Sequence, residues 1–315
     1  DEAIQRYAFN GVGLYGEQLS SVSPEFGTNG AFEKCWVRDD KGIYLLKRGS
    51  DIAYNSGLEP YCEVLASQVF SKLKAGIPYK LIHYHGKVAS KCRLFNDSCK
   101  SFIPEAVYGN AFISVGNLIS SYDKIPGGEM LRRILICDAI TLNVDRHAGN
   151  FGVLVDSFTN DLVMMAPGFD YNLALLPYAT RDDLADIKNC IDNAKPKIGE
   201  DFIDIARYVL TSELRTELIV LKGIQLSLPF YDDTFPEERA KWMTALVNTQ
   251  IDNILSKKEI KYPAVKVEGL SNCMKYRMRF HLTEEEWLAK VPHLCALLDV
   301  KHMDELEEAI KVFLN

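Results

Sequence analysis

The chemistry-bearing residues of this chain crowd into one stretch. From Leu142 to Gly152 it reads LNVDRHAGNFG, with an Asp, an Arg, a His and two Asn between Asn143 and Asn150. A long apolar run precedes it and a strand-like run follows. A loop that leaves a buried helix is held rigidly, so its side chains can be aimed. Asp145 and Asn150 are five residues apart, and Asp170 follows twenty residues later. Two short strands between them would form a hairpin and return the chain, setting Asp170 beside Asn150. One carboxylate and one carboxamide, completed by phosphate oxygens and water, suit Mg²⁺, which rarely takes an all-protein cage. Asp145 would then accept a proton or orient a hydroxyl. Asp, Asn and Gly are also ordinary turn residues. The weight comes from their order, their spacing and the flanking strands together.

The elements that must position these residues are legible in part. FEKCWVR (Phe32–Arg38) and GIYLLKR (Gly42–Arg48) are short apolar runs joined by DDKG, a hairpin signal. Cys62, Leu65, Ala66, Val69, Phe70 and Leu73 recur at helical spacing, and Gly76 and Pro78 are expected to stop that helix. YKLIHYH and KVASKCRLF read as two further strands that turn at Gly86. The N-terminal part is therefore β-β-α-β-β. GEMLRRILICDAITLN (Gly128–Asn143) is apolar on most sides and predicts a buried helix. FGVLVD and DLVMMAPGFD predict strands, and the chain after Ala179 reads as helical to its end. Thr234 with Glu237, and Thr283 with Glu286, have the spacing of capping boxes. The fold class is α+β, with a β-rich part over residues 1–95 and a larger, mainly helical part over 96–315.

Composition bounds the rest. The chain has 315 residues, 47% apolar and 25% charged, with a net charge of −7, as in ordinary globular proteins. That balance argues against direct nucleic-acid binding, which needs a basic face. Eight scattered cysteines form no CxxC and no zinc-ligand spacing, and read as reduced core residues of a cytoplasmic protein. No apolar run approaches the roughly 20 residues of a membrane span.

DRHAGN followed by GFDYN resembles the catalytic segments of the protein-kinase-like superfamily. There the common form is H-R-D-x-x-x-x-N and then D-F-G. D-R-H-x-x-N is the arrangement of phosphoinositide-3/4-kinases and of HipA-like kinases. The longer pattern CDAITLNVDRHAGNFGVL is most similar to the HipA-like and CtkA-type bacterial serine/threonine kinases. GTNGAFEKCW resembles their glycine-containing loop, YLLKRG their lysine strand and SKCRLF their hinge.

The resemblance implies a two-lobed kinase-like fold and Mg²⁺-dependent transfer of the ATP γ-phosphate to Ser/Thr hydroxyls of a protein substrate. Lys47 would contact the α/β-phosphates and pair with Glu63, with Glu59 as rival one helical turn earlier. Asp145 would be the base or orienting carboxylate, and His147 would stabilise the loop or approach phosphate. Asn150 and Asp170 would hold the metal. Asp138, inside the apolar helix, would accept hydrogen bonds from the catalytic loop, which Asn143 would brace. The backbone of Cys92, Leu94 and Phe95 would face adenine. Gly27, Thr28, Asn29 and Gly30 would cover the phosphates. Autophosphorylation, an antitoxin-like partner and export as an effector occur among such kinases. Two features depart from the pattern: the family's loop serine has no clear counterpart at Gly27 or Thr28, and no Gly follows Asp170 directly. Other readings remain open: a phosphoinositide kinase, a non-catalytic nucleotide-binding or toxin module, and an unrelated α+β fold.

Overall fold

A computed structural model describes residues 33–50, 57–109 and 114–256. Gly27, Thr28, Asn29 and Gly30, the pair Thr283 and Glu286, and the helical stretch expected beyond residue 256 lie outside the described residues.

β1 (Lys34–Asp39) and β2 (Gly42–Arg48) form an antiparallel hairpin in which Asp39 faces Gly42. Helix α1 (Glu59–Lys72) follows, then β3 (Tyr79–Tyr84) and β4 (Lys87–Arg93). The four strands pair antiparallel in the order β1-β2-β4-β3. His85 and Gly86, at φ 47° and 76°, link β3 to β4 in the two-residue turn with both central φ positive, which matches strand twist. Helix α1 ends earlier than its glycine predicts. Lys74 takes φ 52°, its N–H donates to Ser71 O, and Ala75 N–H donates to Phe70 O. That is a Schellman ending with lysine in the left-handed position.

Gly76 serves the packing instead. It bridges Gly168, and Ile77 N–H donates to Gly168 O while Gly168 N–H donates to Ala75 O, both at 2.9 Å. A Cβ on Gly76 would stand 1.9 Å from the Tyr171 hydroxyl and 2.5 Å from Gly168 O. The close approach ties the end of α1 to the segment that carries Asp170.

A second sheet holds β5 (Lys100–Pro104), β6 (Gly152–Asp156) and β7 (Leu162–Met165) in the order β5-β6-β7. Strand β5 has no alternating pattern and ends in proline, so the sequence does not announce it. Helices α2 (Glu105–Tyr108), α3 (Val115–Tyr122) and α4 (Met130–Thr141) lie between β5 and the polar loop after Leu142. Among the described residues five more follow β7: α5 (Arg181–Ala185), α6 (Ile187–Asn193), α7 (Phe202–Tyr208), α8 (Ser212–Leu221) and α9 (Glu237–Leu255). Helix α9 is not capped by Thr234. Pro236 holds the N-cap position without a side-chain bond, and Asp232 takes the N–H groups of Thr234 and Phe235 to close the preceding turn. A full capping box forms instead at Thr180 and Asp183, where α5 begins.

Helix α4 is apolar on most sides because it is enclosed: α1, α3, α7 and α9 pack against it. Each fully buried Leu or Ile there contributes roughly 1.5–3 kcal/mol. One apolar cluster runs from α1 through α4 to α9, while Cys35, Leu46 and Ala89 form a small second cluster within the four-stranded sheet. Among the described residues no helix is long and apolar enough to cross a membrane.

Replacing Gly76 by Ala forces the clamp apart and should cost about 1–3 kcal/mol in urea unfolding. Gly86→Asn, in open space at a φ that Asn tolerates, should change stability little.

Candidate active site

Helix α4 ends with Leu142 in the left-handed conformation, φ 48°, and the chain turns into the polar loop. Asp138 sits one turn before that end, 3% exposed. Its carboxylate accepts from Asn143 Nδ2 at 2.8 Å, Arg146 Nε at 2.9 Å and Arg146 Nη2 at 3.0 Å. Arg146 is itself buried. Its remaining terminal nitrogen, Nη1, donates to Asn150 O and to Phe169 O, each at 2.7 Å. One guanidinium nitrogen thus joins the end of the loop to the residue preceding Asp170, which is how the hairpin β6–β7 brings Asp170 back. Burial opposes the charge on Arg146, and Asp138 outweighs it and holds the guanidinium protonated.

Lys47 lies at the centre of the second group. Its Nζ is 2.9 Å from Glu63 Oε1 and 2.8 Å from Asp170 Oδ1. Glu63 also accepts from Ser90 Oγ at 2.5 Å and from Tyr171 N–H at 3.3 Å. The sheet register sets this up. Lys34, Lys47 and Ser90 are successive cross-strand partners, and such partners share a face. The rival Glu59 is turned elsewhere, to Ser50 N–H and the Tyr178 hydroxyl. Burial alone would lower the Lys47 pKa, but Asp170 and Glu63 reverse this and raise it. For Asp170, burial pushes upward and Lys47 overcomes it, so the carboxyl titrates below its usual range. Lys34 is shifted down by burial and by its neighbour Lys47.

Asp170 adopts φ 58°, a conformation that Asp and Asn tolerate better than most residues. Its N–H donates to the Tyr79 hydroxyl at 3.2 Å. Asp145 is half-buried at the loop tip and forms an ion pair with Lys197, whose segment joins α6 to α7. His147 is exposed, and its Nδ1 accepts from Gly149 N–H at 3.0 Å, which tightens the loop. Asn150 Nδ2 donates to Asp145 O at 3.0 Å, so the amide oxygen is the atom left for a ligand.

The expected adenine-facing stretch closes β4. Cys92 is buried, and burial pushes its thiol up to about 12. Leu94 N–H is already committed to Ile43 O at 2.9 Å. Phe95 stacks on Phe169 at 5.1 Å, and both meet Phe102 edge-on. This trio carries an apolar surface from the strand end to the residue before Asp170. Arg146, Ser90, Phe169 and Lys197 were assigned no role on the sequence, and Lys34 only as the end of the loop from Gly27 expected to cover the phosphates. The signal for Arg146 was present, since a buried Asp138 demands a cationic or polar partner. Lys197 had none, being 52 residues from Asp145.

Among the described residues no group of three or more His, Cys, Asp or Glu side chains could hold a metal by itself. Asp170 and the Asn150 amide oxygen would supply two hard oxygen donors. Such a set fits Mg²⁺ when phosphate oxygens and water complete the shell.

Arg146→Leu leaves the Asp138 carboxylate buried with only Asn143, and should cost about 3–5 kcal/mol in urea unfolding. Adding Asp138→Leu should recover part of that loss, a coupling of roughly 0.5–3 kcal/mol; strictly additive losses would show the pair to be independent.

No protein-family model matches the sequence, and no curated protein matches it. Among solved structures, the proinflammatory kinase CtkA of Helicobacter pylori is similar at 15% identity with a TM-score of 0.51, over 70% of this chain and 92% of that one. HipA of Shewanella oneidensis MR-1, from a toxin–antitoxin complex with HipB and operator DNA, aligns at 12% identity with a TM-score of 0.44, over 82% of this chain and 73% of that one. The likeness to CtkA shows the fold alone: this mixed α/β chain is folded like CtkA.

Proposed function

We propose that the chain is an ATP- and Mg²⁺-dependent phosphotransferase acting on Ser/Thr hydroxyls of a protein. The observation that carries the reading is the Lys47 ammonium shared between Glu63 and Asp170. Asp170 is tied through Phe169 and Arg146 to the loop of Asp145 and Asn150. In this reading the four-stranded sheet with α1 is one lobe, through residue 95, and the remainder is the other.

Lys47 binds the α/β-phosphates of ATP, and Glu63 fixes its position. Asn150 and Asp170 hold Mg²⁺, which when bound offsets phosphate charge. Asp145 orients the acceptor hydroxyl and takes its proton. The hydroxyl oxygen forms a bond to Pγ, the bond from Pγ to the β,γ-bridging oxygen breaks, and its electron pair leaves with ADP. The transition state is loose and bears little covalent demand, so placement and charge do most of the work. The aromatic trio of Phe95, Phe102 and Phe169 offers the apolar surface for the adenine side of the site.

Incubation with Mg²⁺, ATP and a generic basic protein, read by intact mass, should show phosphate added to the substrate or to the chain itself. A parallel arm with phosphoinositide vesicles separates protein from lipid transfer, and transfer to lipid alone would overturn the protein-kinase reading. Asp145→Asn should lower kcat by roughly 10²–10⁴-fold with ATP binding little changed. Asp170→Ala should abolish Mg²⁺-dependent ATP binding in calorimetry. Unaltered transfer by Asp145→Asn would contradict the assignment.

A further inference from the structure

The ion pair between Lys197 and Asp145 has no counterpart in the motif that defines the site. Lys197 lies in the connection between α6 and α7, and its side chain is 50% exposed against 23% for Asp145. The residues on either side of it are anchored. Pro196 and Ile198 line a small, partly open pocket together with Asp138, Asn143 and Arg146; Pro196 is half-buried and Ile198 is buried. The backbone of the connection is therefore seated against the same polar cluster that holds the catalytic loop from beneath. With both neighbours fixed, the lysine side chain is directed over the loop to the Asp145 carboxylate.

We propose that Lys197 is a catalytic residue of the phosphotransfer, contacting the transferring phosphoryl group from the side of the acceptor. This rests on the kinase reading above. A carboxylate that takes the acceptor proton lies within hydrogen-bond reach of the acceptor oxygen. An ammonium on that same carboxylate is next to the oxygen as it bonds to Pγ, where negative charge is spread over the phosphoryl oxygens. Lys47, bonded to Glu63 and Asp170, serves the nucleotide side. Lys197 supplies a positive charge on the opposite side, and its four-carbon stem lets it follow the phosphoryl group without moving the backbone. As a half-exposed ion pair it contributes little to stability, so its loss separates a chemical role from a structural one.

The test is steady-state phosphotransfer by the full chain with Mg²⁺, ATP and a basic protein substrate. Lys197→Met should lower kcat by roughly 10²-fold, the size of effect seen when one preorganised charge-stabilising donor is removed. KM for ATP and the thermal midpoint should stay near wild type. Lys197→Arg should restore most of the rate. Lys188→Met, which removes an exposed lysine paired with Asp192, should leave kcat unchanged. If the wild type transfers phosphate and Lys197→Met does so at an equal or higher rate, this inference falls alone, and a higher rate would make the contact a block on Asp145. If the wild type binds no Mg²⁺·ATP and transfers nothing, the kinase reading and the role of Lys197 fall together.

Discussion

The buried pairing of Asp138 with Arg146 is the interaction on which the site depends. Two charges taken out of water cost several kcal/mol each unless their remaining donors and acceptors are met. Here they are met by the parts that must be positioned. Asn143 shares the Asp138 carboxylate, while Asn150 O and Phe169 O take the arginine's outer nitrogen. The ion pair cannot be satisfied with the loop elsewhere, so the cost of burying it becomes a constraint on geometry. An apolar pair of the same volume would stabilise the helix as well and would specify neither the loop nor the return of the hairpin.

Lys47 extends the constraint to the four-stranded sheet. Its ammonium is buried, and among the described residues carboxylates arriving from α1 and from the segment after β7 compensate it. Both arrivals need a short path between the end of α1 and residue 168, which the contact of Gly76 with Gly168 provides. With one Asp170 carboxylate oxygen accepting from the Lys47 ammonium and its backbone N–H donating to the Tyr79 hydroxyl, the aspartate is held by the sheet side and the loop side at once. Charge compensation and close backbone packing thus act on the same few residues.

Much of this was legible in the sequence, for physical reasons that also explain the gaps. The pattern of apolar residues marks β1 to β4, α1 and α4, the two helices being buried on most of their sides. The D-R-H-x-x-N spacing and the later Asp mark the polar cluster because a rigid loop and a hairpin limit where those residues can go. Strand β5 escaped notice because KSFIP lacks alternation and is specified by its partner β6. The end of α1 was misplaced because a lysine took the left-handed position usually filled by glycine, while the glycine was needed for contact. Thr234 failed as a cap because it lies in the turn that Asp232 closes, two residues before the Pro236 N-cap. Lys197 could not be seen, since exposed ion pairs between remote residues leave no pattern in composition or period.

The backbone after Asp170 shows how firmly the site is held. Asp170, Leu175 and Leu176 all have positive φ, at 58°, 57° and 53°, and non-glycine residues there cost on the order of 1–3 kcal/mol each. Such strain persists only where the surroundings over-determine it. Leu175 N–H donates to Thr141 O at 2.7 Å, and the buried Arg239 donates to the carbonyls of Leu176, Pro177 and Ala179. Tyr171 is fully buried and stacks on Phe70 at 4.0 Å, with its N–H on Glu63. To swing Asp170 away from Lys47, the chain would have to pull Tyr171 out of the core and release the arginine clamp together. A D-F-G-type flip needs a permissive residue after the aspartate; here the same position is an anchor. The strain and the anchor together hold Asp170 in one orientation.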